Sequence, residues 1–232
     1  MTHRLTVVQH HPAEGVGEIG AWAKQHDIAL DIHRADLGDL PQDDVGHCVL
    51  LGGPCAVNAP PGWLQCEKKW LHAKIASGAS ILGICLGSQL LAEALGGEVH
   101  ALDQPETGWT QIDFADGSQL DALQWHEDAF TLPPGAESLA RSAACAHQMF
   151  RVGSHAGIQF HPEWNAELVA GLNAYFGDAS PLPRTLDARR FSAVTQWFHA
   201  LLKARWNVTL LPPLQREECG GNGLASTTRD GQ

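Results

Sequence analysis

The chain has 232 residues, of which 44% are hydrophobic, and its formal net charge at pH 7 is -11. A chain of this length and composition can bury the core of a single compact domain. The acid excess argues against nucleic acid as a partner, because binding a phosphate backbone requires a basic surface that releases counterions.

The apolar runs of the sequence are short. The longest, residues 48–51 and 81–86, fall far short of the roughly 20 apolar residues that a bilayer-spanning helix requires. No membrane association is therefore expected, and the lack of a leader pattern predicts a cytoplasmic location. The six cysteines include no C-x-x-C pair, so neither a disulfide framework nor a zinc ribbon is predicted. The sequence also has no H-E-x-x-H motif and no phosphate loop of the Walker type, and no metal or organic cofactor is expected.

Short β-prone runs alternate with helical stretches along the first part of the chain. The predicted strands are residues 5–9, 29–33, 48–51 and 80–84, and the predicted helices between them are residues 17–26 and 63–77. Several of these strands are continuously apolar, as expected when helices cover both faces of a sheet. The predicted fold is α/β, a three-layer αβα sandwich around a mostly parallel, flavodoxin-like central sheet.

The middle of the chain follows a different pattern. Residues 98–160 carry successive short strands, among them 109–114, 122–125 and 148–152. We expect them to form a small β-rich excursion near the end of the main sheet.

The chain then becomes helical again. Asn165 is a candidate N-cap for a helix over residues 166–176 that Gly177 ends, and an amphipathic helix is predicted over residues 188–206. The predicted organisation is one domain at residues 1–210 and a disordered tail at residues 211–232.

A candidate nucleophile stands at Cys85. Residues 81–96 have the pattern of an apolar strand, a turn of the form G-x-C-x-G and a helix. Such a turn holds a nucleophile in a strained backbone at the carboxyl edge of a sheet. Cys85 would also lie at a helix amino terminus, where unpaired N–H groups favour the thiolate over the thiol. We therefore interpret Cys85 as catalytic rather than as one more buried small side chain.

A thiol nucleophile needs a base, and the base needs a group that fixes its ring. His161-Pro162-Glu163 supplies both. Pro162 favours an extended backbone at His161, which would turn the side chains of His161 and Glu163 to the same side and let the carboxylate hold the imidazole tautomer. The competing histidines are His10, His11, His126, His147 and His155, of which His126 is the most serious.

A candidate oxyanion site follows the predicted strand at 48–51, which ends in Gly52-Gly53-Pro54. Glycine there lets the backbone approach a ligand without side-chain obstruction. Backbone N–H groups of this loop and of Leu86 could receive the negative oxygen of a tetrahedral intermediate, which can lower a barrier by ~3 to 4 kcal/mol. An ordinary turn at a strand end is the alternative.

With these motifs in this order, the sequence resembles the class I glutamine amidotransferases, the group with a Cys-His-Glu triad. The resemblance covers about residues 4–177 and is carried by residues 51–54 (LGGP), 83–89 (GICLGSQ) and 160–163 (FHPE). It implies a triad of Cys85, His161 and Glu163. It also implies that Gln89 helps to hold glutamine and that the amides of Gly53 and Leu86 stabilise the oxyanion.

Within that family, the sequence is similar to the stand-alone, GMP-synthase-like branch through residues 106–109 (ETGW) and 125–128 (WHED). Cys55, Ala56 and Trp164 depart from the pattern of that branch. The substrate-binding residues expected from the motifs and the resemblance together are Gly52, Gly53, Leu86, Gln89 and His126.

The function predicted from the sequence is hydrolysis of the γ-amide of glutamine through a γ-glutamyl thioester on Cys85. The ammonia would pass to an unknown acceptor, for which a separate synthetase subunit is a candidate. Two alternatives stay open: a free-standing hydrolase or peptidase of another γ-glutamyl small molecule, and a non-catalytic binding or regulatory domain of the same fold.

Overall fold

The computed structural model describes residues 3–43 and 45–206, and within them the chain forms nine strands and five α-helices. The strands are β1 (His3–Gln9), β2 (Ile28–Arg34), β3 (His47–Leu50), β4 (Ser80–Ile84), β5 (Val99–Phe114), β6 (Gln119–Phe130), β7 (Glu137–Arg141), β8 (Met149–Val152) and β9 (His155–Ile158). The helices are α1 (Gly17–Gln25), α2 (Gly62–Ala76), α3 (Leu86–Ala94), α4 (Ala166–Phe176) and α5 (Ala188–Trp206). The predicted tail lies outside the described residues.

The described strands form one sheet in the order β2-β1-β3-β4-β9-β8-β7-β5-β6. The first five strands in that order pair in parallel, and the other neighbours pair antiparallel. The predicted α/β class is confirmed. The β-rich excursion extends the parallel half of the sheet with four further strands, so the whole sheet is mixed.

Helices cover both faces of the parallel half. Trp22 of α1 and Phe198 of α5 pack with Val49 on one face, while Leu71 of α2 packs with Leu50 on the other. Val49 and Leu50 are consecutive residues of β3, so their side chains point to opposite faces and each meets its own helical layer. The three-layer αβα arrangement is confirmed.

The local signals at the fourth helix are also confirmed. Asn165 Oδ1 accepts a hydrogen bond from Leu168 N at 2.9 Å, which is an N-cap contact. Gly177 follows the helix with φ +57°, in the left-handed region that glycine adopts without strain. The predicted bounds 166–176 and 188–206 match α4 and α5.

The short strands predicted at 109–114 and 122–125 were wrong in extent. They are parts of one long hairpin, in which β5 has 16 residues and β6 has 12. The pairing between them shifts register between Ala101 and Glu106. This irregularity interrupts the alternation of buried and exposed residues by which a strand is recognised in a sequence.

Gly87 provides a test of the close packing between α3 and β3. A Cβ at Gly87 would overlap the Leu50 carbonyl, so Gly87→Ala should lower the free energy of unfolding by about 1 to 3 kcal/mol. Gly171→Ala is the matched control, because Gly171 is also helical and has open space around the position of a Cβ. Alanine there should stabilise the protein by roughly 0.5 to 1 kcal/mol. Urea unfolding of both variants measures the difference, and equal effects would contradict the packing described.

Candidate active site

Four loops meet at the carboxyl edge of the parallel half of the sheet. They follow β1, β3, β4 and β9, which are neighbours in that order. Parallel strands present their carboxyl ends at the same edge, where open α/β sheets bind their ligands. In the order of the strands, the loops carry His10 and Glu14, Gly52 and Gly53, Cys85, and His161.

A cavity of about 290 Å³ lies between these loops. This volume is near the lower end of the range for small-molecule pockets, roughly 300 to 1,000 Å³. Its wall includes Glu14, Gly53, Cys85, Leu86, Gln89 and His161. The structure therefore gathers most of the site residues expected from the sequence around one cavity.

Cys85 occupies a strained turn between β4 and α3. Its φ of +49° and ψ of -110° are rarely adopted by residues with a side chain. Cys85 N donates to Ile158 O at 2.8 Å. A Cβ at either Gly83 or Gly87 would overlap backbone atoms, so the two glycines allow the turn to close. Cys85 is 6% exposed, which leaves the thiol sheltered while it lines the cavity.

The His161 ring is held by Glu163. His161 Nδ1 and Glu163 Oε1 are 2.9 Å apart, and both side chains are buried. Residues 162–163 form a turn, so the two side chains meet as predicted, but across a turn rather than along a continuous extended segment. Glu18 of α1 donates its backbone N–H to the Glu163 carbonyl at 2.8 Å, which fixes the turn from behind.

Trp164 restrains the same imidazole. The rings of His161 and Trp164 are stacked, with centroids 3.5 Å apart and planes inclined by 11°. The sequence marked Trp164 only as a departure from the family pattern. In the structure it closes one face of the imidazole and limits the rotation of the ring.

The pKa of His161 is raised to about 10. Burial of the ring acts to lower this pKa, but the charges of Glu163 and Cys85 and the hydrogen bonds to both outweigh that effect. The imidazolium form is thus favoured at neutral pH, between a carboxylate on one side and the Cys85 sulfur on the other.

The Gly52-Gly53 segment passes close to both His161 and Cys85. A Cβ on Gly52 would lie 2.8 Å from His161 Cε1 and 3.6 Å from Cys85 Cβ. A Cβ on Gly53 would lie 3.0 Å from Leu86 Cδ2. A side chain at Gly52 would crowd His161 and Cys85, so glycine lets the backbone of this loop lie close to both.

Leu86 is the first residue of α3, and the first N–H groups of a helix have no partner inside it. The N–H of Gly87 donates to Leu51 O, and those of Ser88 and Gln89 donate to Cys85 O. Among the described residues, none of these backbone bonds takes up the N–H of Leu86, a residue that lines the cavity.

Gln89 and His126 both line the cavity. Gln89 Nε2 donates to Asp128 O at 3.0 Å and to Gln159 Oε1 at 3.2 Å. The protein holds the His126 ring through Nδ1, which lies 2.9 Å from Asp128 O, while Nε2 lies 3.2 Å from Glu106 Oε2 without a hydrogen bond to it. These contacts place His126 in the wall, where it orients the chain segment that also anchors Gln89.

The remaining competing histidines lie in other surroundings. His10 contacts Glu67 and Gly52, and His11 packs against Tyr175 and Phe176. His147 Nδ1 is 3.0 Å from the Ser138 hydroxyl. His155 begins β9, at the opposite end of that strand from His161. Among these candidates, His161 is the histidine whose pKa is raised by Cys85.

The sequence pattern did not point to two further side chains that lie close to Cys85 or His161. Gln159 Nε2 lies 3.7 Å from Cys85 Sγ. The Glu14 carboxylate reaches the cavity beside His161, and burial raises its pKa. Both residues follow strands whose carboxyl ends lie at the site, since Glu14 comes after β1 and Gln159 directly after β9. Their positions in the sequence could have indicated them, but neither belongs to a motif.

No group of three or more His, Cys, Asp and Glu side chains in the described part of the chain is arranged to hold a metal ion. Within residues 3–43 and 45–206, no helix combines the length and the apolar character that crossing a bilayer requires.

Comparison with known proteins points to one family. Residues 6–168 match the family model of class-I glutamine amidotransferases. The glutamine amidotransferase-like protein YfeJ of Salmonella typhimurium is 30% identical over 189 residues, which is 73% of this chain and 79% of that protein. The GMP synthase (glutamine-hydrolyzing) of Mycobacterium marinum is 37% identical over 141 residues, which is 56% of this chain but only 26% of that enzyme.

Solved structures agree with this assignment. A glutamine amidotransferase from Thermotoga maritima has a TM-score of 0.80 at 24% identity, covering 88% of this chain and 98% of that one, and supports the fold. A glutamine amidotransferase from Methylobacillus flagellatus has a TM-score of 0.77 at 26% identity, covering 89% and 95% of the two chains. The chain therefore belongs to the class-I glutamine amidotransferase family.

Proposed function

We propose that this protein hydrolyses the side-chain amide of glutamine, with Cys85 as nucleophile, His161 as acid and base, and Glu163 as the group that orients His161. The observation that carries the proposal is the meeting of three elements at one cavity. They are the strained turn at Cys85, the His161–Glu163 contact at 2.9 Å, and the loop of Gly52 and Gly53 beside both, called the glycine loop below. Family membership supports glutamine hydrolysis in general.

The first step forms a thioester. The Cys85 thiolate attacks the amide carbon, and the carbonyl oxygen becomes an oxyanion that the N–H groups of Gly53 and Leu86 receive. When this intermediate collapses, the C–N bond breaks, and His161 gives its proton to the nitrogen, which leaves as ammonia. A γ-glutamyl thioester on Cys85 and a neutral His161 remain.

The second step releases glutamate. His161 now takes a proton from water, and the resulting hydroxide adds to the thioester carbon. The C–S bond then breaks, so the electron pair returns to the sulfur and the thiolate–imidazolium pair is restored. Trp164 and Glu163 keep the ring aligned through both steps, because one covers its face and the other holds Nδ1.

The proposal includes a separate ammonia acceptor. The match covers only 26% of the GMP synthase from Mycobacterium marinum, so most of that enzyme has no counterpart in the present alignment. We propose that a synthetase on another polypeptide uses the ammonia that this protein releases. A glutaminase rate that rises when such a partner is added would support this part of the proposal.

Cys85→Ala tests the nucleophile. Removal of the sulfur should lower glutamine hydrolysis by at least about a thousandfold, because the covalent step is lost. The release of glutamate and ammonia from glutamine measures the rate. Cys66→Ala is the control, since Cys66 is an exposed cysteine of α2, and it should retain the wild-type rate.

Parallel assays with γ-glutamyl dipeptides separate the alternatives. Preferential cleavage of these dipeptides would assign the same triad to a γ-glutamyl peptidase. Full activity of Cys85→Ala would contradict the mechanism, and an inactive but folded wild-type protein would favour a binding or regulatory domain.

The charge pair between Cys85 and His161 makes a second prediction. Because the charge of Cys85 helps to raise the pKa of His161, Cys85→Ser should lower that pKa from about 10 toward the ordinary value of histidine, about 6.5. NMR titration of the His161 imidazole in both proteins measures the change, with Cys66→Ser as the control. An unchanged pKa in Cys85→Ser would mean that the sulfur bears no charge beside the ring.

A further inference from the structure

A second buried histidine–glutamate pair lies behind the glycine loop. His10 follows β1, Glu67 lies on α2, and His10 Nε2 is 2.9 Å from Glu67 Oε1. Both side chains are 0% exposed. Burial of such a pair carries a large desolvation cost, and the reaction steps proposed above do not use it.

The other nitrogen of His10 holds the glycine loop. His10 Nδ1 lies 3.1 Å from the Gly52 carbonyl oxygen, which can only accept, so Nδ1 carries a proton and donates it. The Glu67 carboxylate also accepts when ionised, so an imidazolium at His10 donates from Nδ1 to Gly52 O and from Nε2 to Glu67 Oε1. Burial acts to lower the pKa of His10, but the charge and hydrogen bond of Glu67 and the Gly52 carbonyl together raise it.

The contact between His10 and the Gly52 carbonyl also sets the direction of the Gly53 N–H. The Gly52 carbonyl and the Gly53 N–H belong to one planar peptide group, in which they point in opposite directions. With the carbonyl fixed on His10, the N–H is directed away from His10. Gly53 lines the cavity and Gly52 lies against Cys85.

We propose that His10 and Glu67 are positioning residues that orient the peptide between Gly52 and Gly53 so that its N–H serves as an oxyanion donor. The inference rests on the proposed function. Glu67 fixes the His10 ring, the ring fixes the carbonyl, and the carbonyl sets the direction of the N–H. The cationic ring also polarises the peptide group, which strengthens the donor through a chain of hydrogen bonds.

A pair of double variants tests the role of the single hydrogen bond to Gly52. His10→Phe with Glu67→Leu replaces the buried pair by apolar side chains, a change that often leaves stability unaltered. His10→Asn with Glu67→Leu restores an N–H donor near the position of Nδ1. Loss of one oxyanion donor costs about a hundredfold to a thousandfold in kcat, so loss of its orientation should cost about tenfold to a hundredfold.

Three measurements separate positioning from general damage. The Phe/Leu variant should lower kcat for glutamine while KM stays nearly constant, and the Asn/Leu variant should recover most of kcat. Alkylation of Cys85 by iodoacetamide should keep its wild-type rate in both variants, because displacement at a saturated carbon forms no oxyanion.

Thermal unfolding reports whether each variant is folded. If a double variant does not fold, Glu67→Gln keeps the size of the side chain and can still hydrogen-bond the His10 ring, but it removes the negative charge that keeps the ring cationic, so it should still lower kcat several-fold.

If the wild-type protein is active and the Phe/Leu variant has the same kcat, the inference about His10 and Glu67 is overturned while the proposed function stands. Equal losses of kcat and alkylation rate would also overturn it, since the damage would then lie at Cys85. An inactive wild-type protein would overturn the proposed function, and this inference with it.

Discussion

The site depends on one local constraint, the left-handed backbone of Cys85. A residue with a side chain reaches φ +49° only when its surroundings force it there. Here the Cys85 N–H is bonded to Ile158 of β9, and α3 packs so closely on β3 and β4 that Gly83 and Gly87 have no room for a Cβ. The stability of the sheet therefore holds the sulfur at the edge where the other loops converge.

Two buried histidine–glutamate pairs surround this turn and differ in what they face. His161 and Glu163 lie beside the sulfur, while His10 and Glu67 lie behind the peptide that faces it. Both rings have a raised pKa because a carboxylate accompanies each of them. His161 in its cationic form thus places a positive charge next to the thiol, and an imidazolium at His10, donating to Glu67 and Gly52, would place another next to the glycine loop. In the proposed reaction, each would meet negative charge, on the sulfur or on the oxyanion.

Features that depend on residues close together in the sequence, such as strands, helices, a helix cap and short motifs, could be predicted from the sequence. Four strands and four helices of the α/β frame were placed within one or two residues, and Asn165 was recognised from its position before a helix. The G-x-C-x-G turn at Cys85 and the tripeptide His161-Pro162-Glu163 were recognised for the same reason. The Glu67 contact could not be found this way, because His10 and Glu67 are 57 residues apart and α2 carries other charged residues besides Glu67. The extent of the β5–β6 hairpin was missed because its register shift hides the alternation.

Trapping the acyl-enzyme tests the central claim most directly. A γ-glutamyl anilide with a good leaving group should acylate the protein faster than water releases glutamate, and acid quenching during the first turnover would preserve the intermediate. Mass spectrometry of the intact protein and of its peptides should then find one γ-glutamyl group, carried by Cys85. Hydrolysis without any such adduct, or an adduct confined to another cysteine such as Cys66, would contradict the assignment of Cys85 as the nucleophile.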